Sequence, residues 1–134
     1  MPDDDAAAVI ARAIDAANRH DVEGWLALLH PEVELYAFRG LRRGRDEARA
    51  WMGTPGYEEL DQELELERVI EAGDQVVALV VRRLRWKSDG SLADEHRMGH
   101  LYRIRDGLIV HWQPFVDPAD ALRAAGIGEN DAAV

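Results

Sequence analysis

The spacing of apolar residues changes once along this chain, from a helical period near the start to strict alternation in the larger remainder. Val9, Ile10, Ala13, Ile14 and Ala17 recur at three- and four-residue intervals, one stripe of a helix over about 6–19, with Asp5 placed to cap it. Asp21 precedes Trp25, Leu26, Leu28 and Leu29. It predicts a second, short helix that stops at His30-Pro31, because the residue before proline avoids the helical region. Val33 to Phe38 is a short run of β-formers, and Arg39-Gly40-Leu41-Arg42-Arg43-Gly44 reads as a basic loop. Asp46 and Glu47 open a third helix at the positive end of its dipole. That helix sets Ala48, Trp51 and Met52 on one side before Gly53-Thr54-Pro55-Gly56 breaks it.

Beyond this point the period is two. Leu60, Gln62, Leu64, Leu66, Arg68 and Ile70 alternate with Glu59, Asp61, Glu63, Glu65, Glu67 and Val69, a half-buried strand with an acidic outer face. Ala72-Gly73-Asp74 turns into a strand over 75–87, and Ser88-Asp89-Gly90-Ser91 into another over about 93–105. Asp106-Gly107, a tight-turn pair, leads into a strand over 108–116. Asp117-Pro118 then caps a closing helix that ends at Gly126. The pattern predicts one α+β domain over 1–134 with an ordered core of about 5–126: helices packed on a mostly antiparallel sheet.

Because alternate strand residues point to opposite faces, parity sorts the strands. On the fourth strand His96, Met98, His100, Tyr102 and Ile104 share one face, which is assigned inward. On the fifth, Leu108, Val110, Trp112, Pro114 and Val116 form the more apolar face; on the third, Ala78, Val80, Arg82, Leu84 and Trp86 oppose Val77, Leu79 and Val81. Both sides of the third strand's first half are apolar, and Leu101, Ile109 and Phe115 extend the outer one. A lone domain seldom exposes a patch of that size, so a homodimer joined sheet to sheet is expected.

Composition narrows the function classes. The chain has 134 residues with 47% hydrophobic and 31% charged, a globular composition long enough for a real core. A net charge of -10 argues against nucleic acid and anionic membranes, which recruit clustered Lys and Arg. Cysteine is absent, which removes disulfides and thiolate chemistry. Met1-Pro2-Asp3-Asp4-Asp5 lacks the basic start and apolar stretch of a signal peptide. A cytoplasmic protein is expected.

With these elements placed, the chain resembles the nuclear transport factor 2-like superfamily, and within it the SnoaL-like proteins. The landmarks are Asn18-Arg19-His20-Asp21, then Leu41-Arg42-Arg43-Gly44-Arg45-Asp46, and finally His100 to Ile109 running into Trp112. The resemblance implies a cone-shaped fold, in which helices pack on a strongly curved, mostly antiparallel sheet that encloses a pocket. It implies less about chemistry, since the superfamily spans isomerases, cyclases, epoxide hydrolases and non-catalytic binders. Ketosteroid isomerase would need a carboxylate where Leu35 or Tyr36 stands and a tyrosine where Ala13 stands; its acidic donor falls at His100. The cyclases' strand histidine also falls at His100, but their aspartate position holds Pro114. Limonene epoxide hydrolase would need aspartates at His100 and Pro114 and an arginine near Met98. Only His100 agrees with any of these patterns.

Two readings of His100 therefore stand: a general acid or base that titrates near neutrality, or a buried neutral imidazole bonded to Tyr102, His96 or a carbonyl. Arg82, on the cavity parity, either meets a ligand carboxylate or is swung out by a bulge or paired with Gln62. His96 and His100 lie roughly 13 Å apart along a strand, so no metal site is expected, and no cofactor. Asp117 is assigned to the helix cap. Trp25, Tyr36, Trp51, Leu84, Trp86, Met98, Trp112 and Pro114 join Arg82, His96 and His100 as the predicted lining, with Phe38, Met52 and Tyr57 as further core or pocket surface. The expected partner is a small hydrophobic molecule. If the pocket is catalytic, the expected chemistry is proton transfer without a cofactor; otherwise the chain is a carrier or sensor, or a dimeric scaffold.

Overall fold

A computed structural model describes residues 6–37, 40–52 and 59–127. The Asp5 cap, Phe38, the break at 53–56 and Tyr57 lie outside the described residues, as does the side chain of Met52. Six strands form one sheet in the order β2-β1-β6-β5-β4-β3. They are β1 (Leu29–Ala37), β2 (Gly40–Arg43), β3 (Leu60–Ala72), β4 (Gln75–Trp86), β5 (Leu92–Arg105) and β6 (Leu108–Phe115). Neighbours run antiparallel except β1 and β6, which are parallel. Helices α1 (Ala6–Asn18), α2 (Val22–Leu26) and α3 (Gly44–Met52) close the concave face, and α4 (Pro118–Ala124) lies on the convex one. This is the expected α+β cone, curled and unclosed.

Two expectations about the first third are corrected. The second helix ends at Leu26, because Leu28 already belongs to the sheet: its carbonyl accepts from the Ile109 N–H at 2.8 Å. β1 therefore starts at Leu29, and its register with β6 is irregular between Leu29 and Glu34, the stretch where Pro31 has no N–H to give. The basic segment is not a loop. Gly40–Arg43 pairs with β1, Arg43 opposite Glu34 and Leu41 opposite Tyr36, and forms one sheet edge.

Bulges supply the curvature, and they also revise parity. On β3, Leu66 pairs with Val80 but Arg68 with Leu79; Glu67 is the extra residue, so Val69 turns into the main core and Ile70 onto the convex side. On β6, His111 pairs with Arg103 but Ile109 with Ile104. Val110 is the extra residue there, and Ile109, assigned outward above, is 1% exposed inside the cone. The β5–β6 turn is tight because Asp106 (φ 55°) and Gly107 (φ 76°) are both left-handed.

The convex face is covered by the chain's own last helix over the area for which a second copy was expected. Ala121, Leu122 and Ile127 pack on Val77 and Leu101, with Leu79, Phe115 and Ile70 half-buried at the margin. Gly99 permits this approach, since a Cβ there would sit 2.6 Å from the Ala121 Cβ. Further along, the same face is polar: Arg83 pairs with Glu65 at 2.7 Å and Glu95 at 2.6 Å, and Arg97 with Glu67 at 2.9 Å. Among the described residues no helix is long and apolar enough to cross a membrane.

Candidate functional site

The inner face of the sheet and the first three helices do not fill the space between them. A cavity of about 260 Å³ remains. It survives because α1 presents Ala13 and Ala17, one turn apart, beside Ile14, where larger side chains would occupy it. Leu29 and Leu35 of β1 and Ile109 of β6 form its apolar floor, and Leu64 and Met98 continue the wall. Asn18 locks α1 onto this wall: its amide donates to the Leu64 carbonyl at 2.8 Å and accepts from the Leu64 N–H at 2.9 Å. Arg45 ties α3 to β1 through the Leu29 carbonyl, and Arg49 of α3 bonds Glu23 of α2. The two helices carry the aromatic side of the cavity. Trp51 stands between Trp25 (5.9 Å) and Trp112 (5.3 Å), ring centre to ring centre.

The polar groups come from neighbouring strands. His100 is 4% exposed and meets Trp112 edge-on at 5.4 Å. Burial lowers its pKa from 6.5 to about 4, with the Arg82 charge acting in the same direction, so the imidazole is neutral at physiological pH. Its Nδ1 is buried and has no hydrogen-bond partner among the described residues. Tyr102, two residues on, is likewise buried, which pushes its hydroxyl pKa up; the hydrogen bond from the Trp112 indole N–H opposes that shift. That bond occupies the phenol oxygen as an acceptor and leaves the phenol's own proton to be donated. Arg82 is half-buried on β4 and donates from Nε to Gln62 of β3 at 2.7 Å. Both alternatives drawn for Arg82 thus contain part of the geometry: it pairs with Gln62, and it lines the cavity. No bulge displaces it, because the β4–β5 register is regular through Arg82 opposite His96.

Of the predicted lining, Trp25, Trp51, Arg82, Met98, His100, Trp112 and Pro114 border the cavity. Tyr36, Leu84, Trp86 and His96 do not. Tyr36 has the parity opposite to Leu35; its hydroxyl donates to Glu34 at 3.2 Å and its ring lies 4.7 Å from His111 on the outer side. Leu84, Trp86 and His96 have the inner parity but stand level with the last lining residues or beyond them, Leu84 opposite Gln62, His96 opposite Arg82 and Trp86 opposite Leu60. Trp86 is 41% exposed, and the His96 ring faces Asp94 at 3.4 Å. Strands of 12 to 14 residues reach about 40–45 Å, whereas the 13-residue α1 covers about 20 Å. Parity gives the side, not the depth. Tyr102 and Gln62, named above as partners of His100 and Arg82 but not among the predicted lining, complete the polar set; the signal for both was inward parity next to a chosen residue. Among the described residues no group of three or more His, Asp or Glu stands close enough together to hold a metal.

A family model described as a SnoaL-like domain matches residues 10–112. No curated protein matches the chain. Among solved structures, an NTF2-like protein of unknown function from Burkholderia pseudomallei is 25% identical, with 87% of this chain and 94% of that one covered at a TM-score of 0.65. Delta 5-3-ketosteroid isomerase from Mycobacterium sp. is 20% identical, covering 86% and 94% at 0.66. Rv0760c from Mycobacterium tuberculosis, in complex with estradiol-17β-hemisuccinate, is 19% identical, covering 83% and 92% at 0.67. The last two likenesses are of fold.

Proposed function

This chain belongs to the SnoaL-like domain family of the nuclear transport factor 2-like superfamily, and from that premise we propose that its cavity binds a small, mostly hydrophobic molecule on which His100 moves a proton. One observation carries the reading. A buried imidazole nitrogen without a partner sits beside a tyrosine hydroxyl that has a proton to give, in a cavity otherwise walled by apolar side chains. Buried polar atoms are rarely left unpaired, and a ligand oxygen or acidic C–H would satisfy this pair. Some fold neighbours favour an oxygen-bearing cyclic ligand, namely Rv0760c, a computationally designed 17-OHP binder and TerC co-crystallised with polyporic acid, whereas one from Catenulispora acidiphila is in complex with trimethylamine. A cavity of about 150 Å³ accommodates benzene, so 260 Å³ suits about one to two rings.

In the catalytic form of the proposal no cofactor takes part. Tyr102 donates to a ligand carbonyl oxygen while neutral His100 takes a proton from the neighbouring carbon; the C–H electron pair forms a C=C bond and the carbonyl π pair moves onto the oxygen. Where that enolate is conjugated with a further C=C bond, the imidazolium returns the proton at the far carbon and the carbonyl re-forms, giving an isomer with no net loss of atoms. A second reading, a non-catalytic carrier or sensor, is favoured by one feature: no carboxylate appears among the described lining residues to act as a base or to stabilise a protonated His100. Native mass spectrometry against a mixed small-molecule library would find the ligand. Its C–H exchange in heavy water would then separate the two readings. Exchange that His100→Gln slows by roughly a hundredfold supports catalysis, and exchange at the wild-type rate in that variant leaves the carrier.

The homodimer is proposed on the convex face beyond α4, where Leu79 and Phe115 are half-buried. Sedimentation should give twice the 15.0 kDa chain mass. Leu79→Glu, which would bury an unpaired charge, should give the monomer; a wild-type monomer at micromolar concentration removes the proposal.

A further inference from the structure

Of the described residues that border the cavity, Gln62 alone is exposed to solvent, so its side chain stands at the mouth. The orientation of its amide is fixed. A guanidinium has donors and no acceptor, and Arg82 Nε donates to Gln62 Oε1 at 2.7 Å. The carboxamide oxygen is therefore turned to Arg82, and the NH2 group points away from it. That nitrogen has no hydrogen-bond partner among the described residues. Its two N–H donors face water until something else takes them.

Arg82 itself is not a vacant cation. Besides its bond to Gln62 it makes a further interaction. It stands opposite His96, whose ring faces Asp94 at 3.4 Å, and Asp94, opposite Leu84, shares the concave parity. Its charge also bears on His100, where it adds to burial in keeping the imidazole neutral. The polar groups left for a ligand are thus an imidazole, a phenol and a carboxamide, all uncharged.

We propose that Gln62 is a ligand-binding residue at the mouth of the cavity, its amide nitrogen donating to an acceptor oxygen of an uncharged ring compound, with Arg82 as the positioning residue that turns the amide. This rests on the pocket-binding reading above and adds to it the polarity of the ligand's outer end. His100, Tyr102 and Gln62 border one cavity of about 260 Å³, so a ligand that fills it meets both the inner pair and the amide. A ketone, ester or ether oxygen is cheap to desolvate and takes the donor. A carboxylate would give up much more hydration, beside an aspartate and with the neighbouring guanidinium already engaged.

The probe is the methyl ester of 6-hydroxy-2-naphthoate, with a hydroxyl and an ester at opposite ends of two rings. It is compared with 2-naphthol and with the free acid by quenching of tryptophan fluorescence. The wild type should bind the ester about three- to tenfold tighter than 2-naphthol, the scale of one neutral hydrogen bond, and the acid more weakly than the ester. Gln62→Met should erase the ester preference and leave 2-naphthol affinity unchanged, which also reports an intact cavity. Gln62→Glu keeps an acceptor for Arg82 but has no N–H, and should erase it as well. Arg82→Lys, which still donates to the Gln62 oxygen, should keep the preference, whereas Arg82→Met, which frees the amide to turn, should reduce it. An ester preference that survives Gln62→Met, or an acid bound tighter than the ester, overturns the proposal; equal losses in the two Arg82 variants remove Arg82 as the positioning residue. If neither the ester nor 2-naphthol binds, the pocket reading itself fails; if both bind equally, the pocket stands and the Gln62 contact does not.

Discussion

Replacing His100 with glutamine should flatten the acid limb of this protein's stability curve. In the folded chain His100 is 4% exposed and its pKa is lowered to about 4 from 6.5, first by burial and then by the Arg82 charge. Below pH 6.5 the unfolded chain takes up a proton that the folded chain refuses, and the balance shifts toward unfolding. The contribution is therefore fully present above the unfolded value and is lost as pH falls toward 4. At 1.36 kcal/mol for each unit, the whole loss is about 3 kcal/mol, and about 2 kcal/mol of it appears between about pH 7.5 and pH 5. The charged or titratable groups facing the ring are Arg82 from β4 and Tyr102 on its own strand, and the described lining holds no carboxylate to hold the imidazolium. Glutamine keeps a polar side chain but has no proton to exchange. Urea unfolding of both proteins at the two pH values isolates the term, because His111 and the surface carboxylates titrate alike in each and cancel. The wild type should lose about 2 kcal/mol more than the variant. Parallel losses, or an NMR titration placing the His100 ring near its free value, would refute the dry, neutral imidazole.

Two further substitutions probe the packing on the two faces of the sheet. Gly99→Val should force α4 off β5, since even a Cβ would meet Ala121 at 2.6 Å; an overpacking loss of about 1–3 kcal/mol should lower the melting temperature, and an unchanged one would mean that the helix does not rest there. Asn18→Ala should remove both bonds to the Leu64 backbone, costing about 1–3 kcal/mol by chemical denaturation, with faster amide exchange at Leu64.

The cone was legible because its causes are local. Apolar spacing on α1, alternation on β3 to β5, and the Asp106-Gly107 turn are each written in a few neighbouring residues. Family landmarks supplied the closure that no local pattern states, and Asn18, one of those landmarks, has a visible task in tying α1 to Leu64. What stayed hidden depends on long-range register. Nothing around Val110 or Glu67 marks a bulge, yet those two residues decide that Ile109 and Val69 turn inward. Nor does the sequence give depth along a strand, so Leu84, Trp86 and His96 were grouped with residues that border the cavity. The last helix was read correctly as a helix, but its seat on Val77 and Leu101 follows from tertiary packing through Gly99, which reads as an ordinary strand residue.

The tryptophans offer the most direct test of the cavity as a ligand site, because the chain carries four of them. Trp25, Trp51 and Trp112 line the cavity, while Trp86 lies outside it and is 41% exposed. The measurement is a proton–nitrogen correlation spectrum of the four indole N–H groups during titration with 6-hydroxy-2-naphthoate methyl ester. Binding as described should move the signals of Trp25, Trp51 and Trp112 together and saturably, and leave Trp86 in place. Movement of Trp86 alone, or saturation without any change at the other three, would contradict the site.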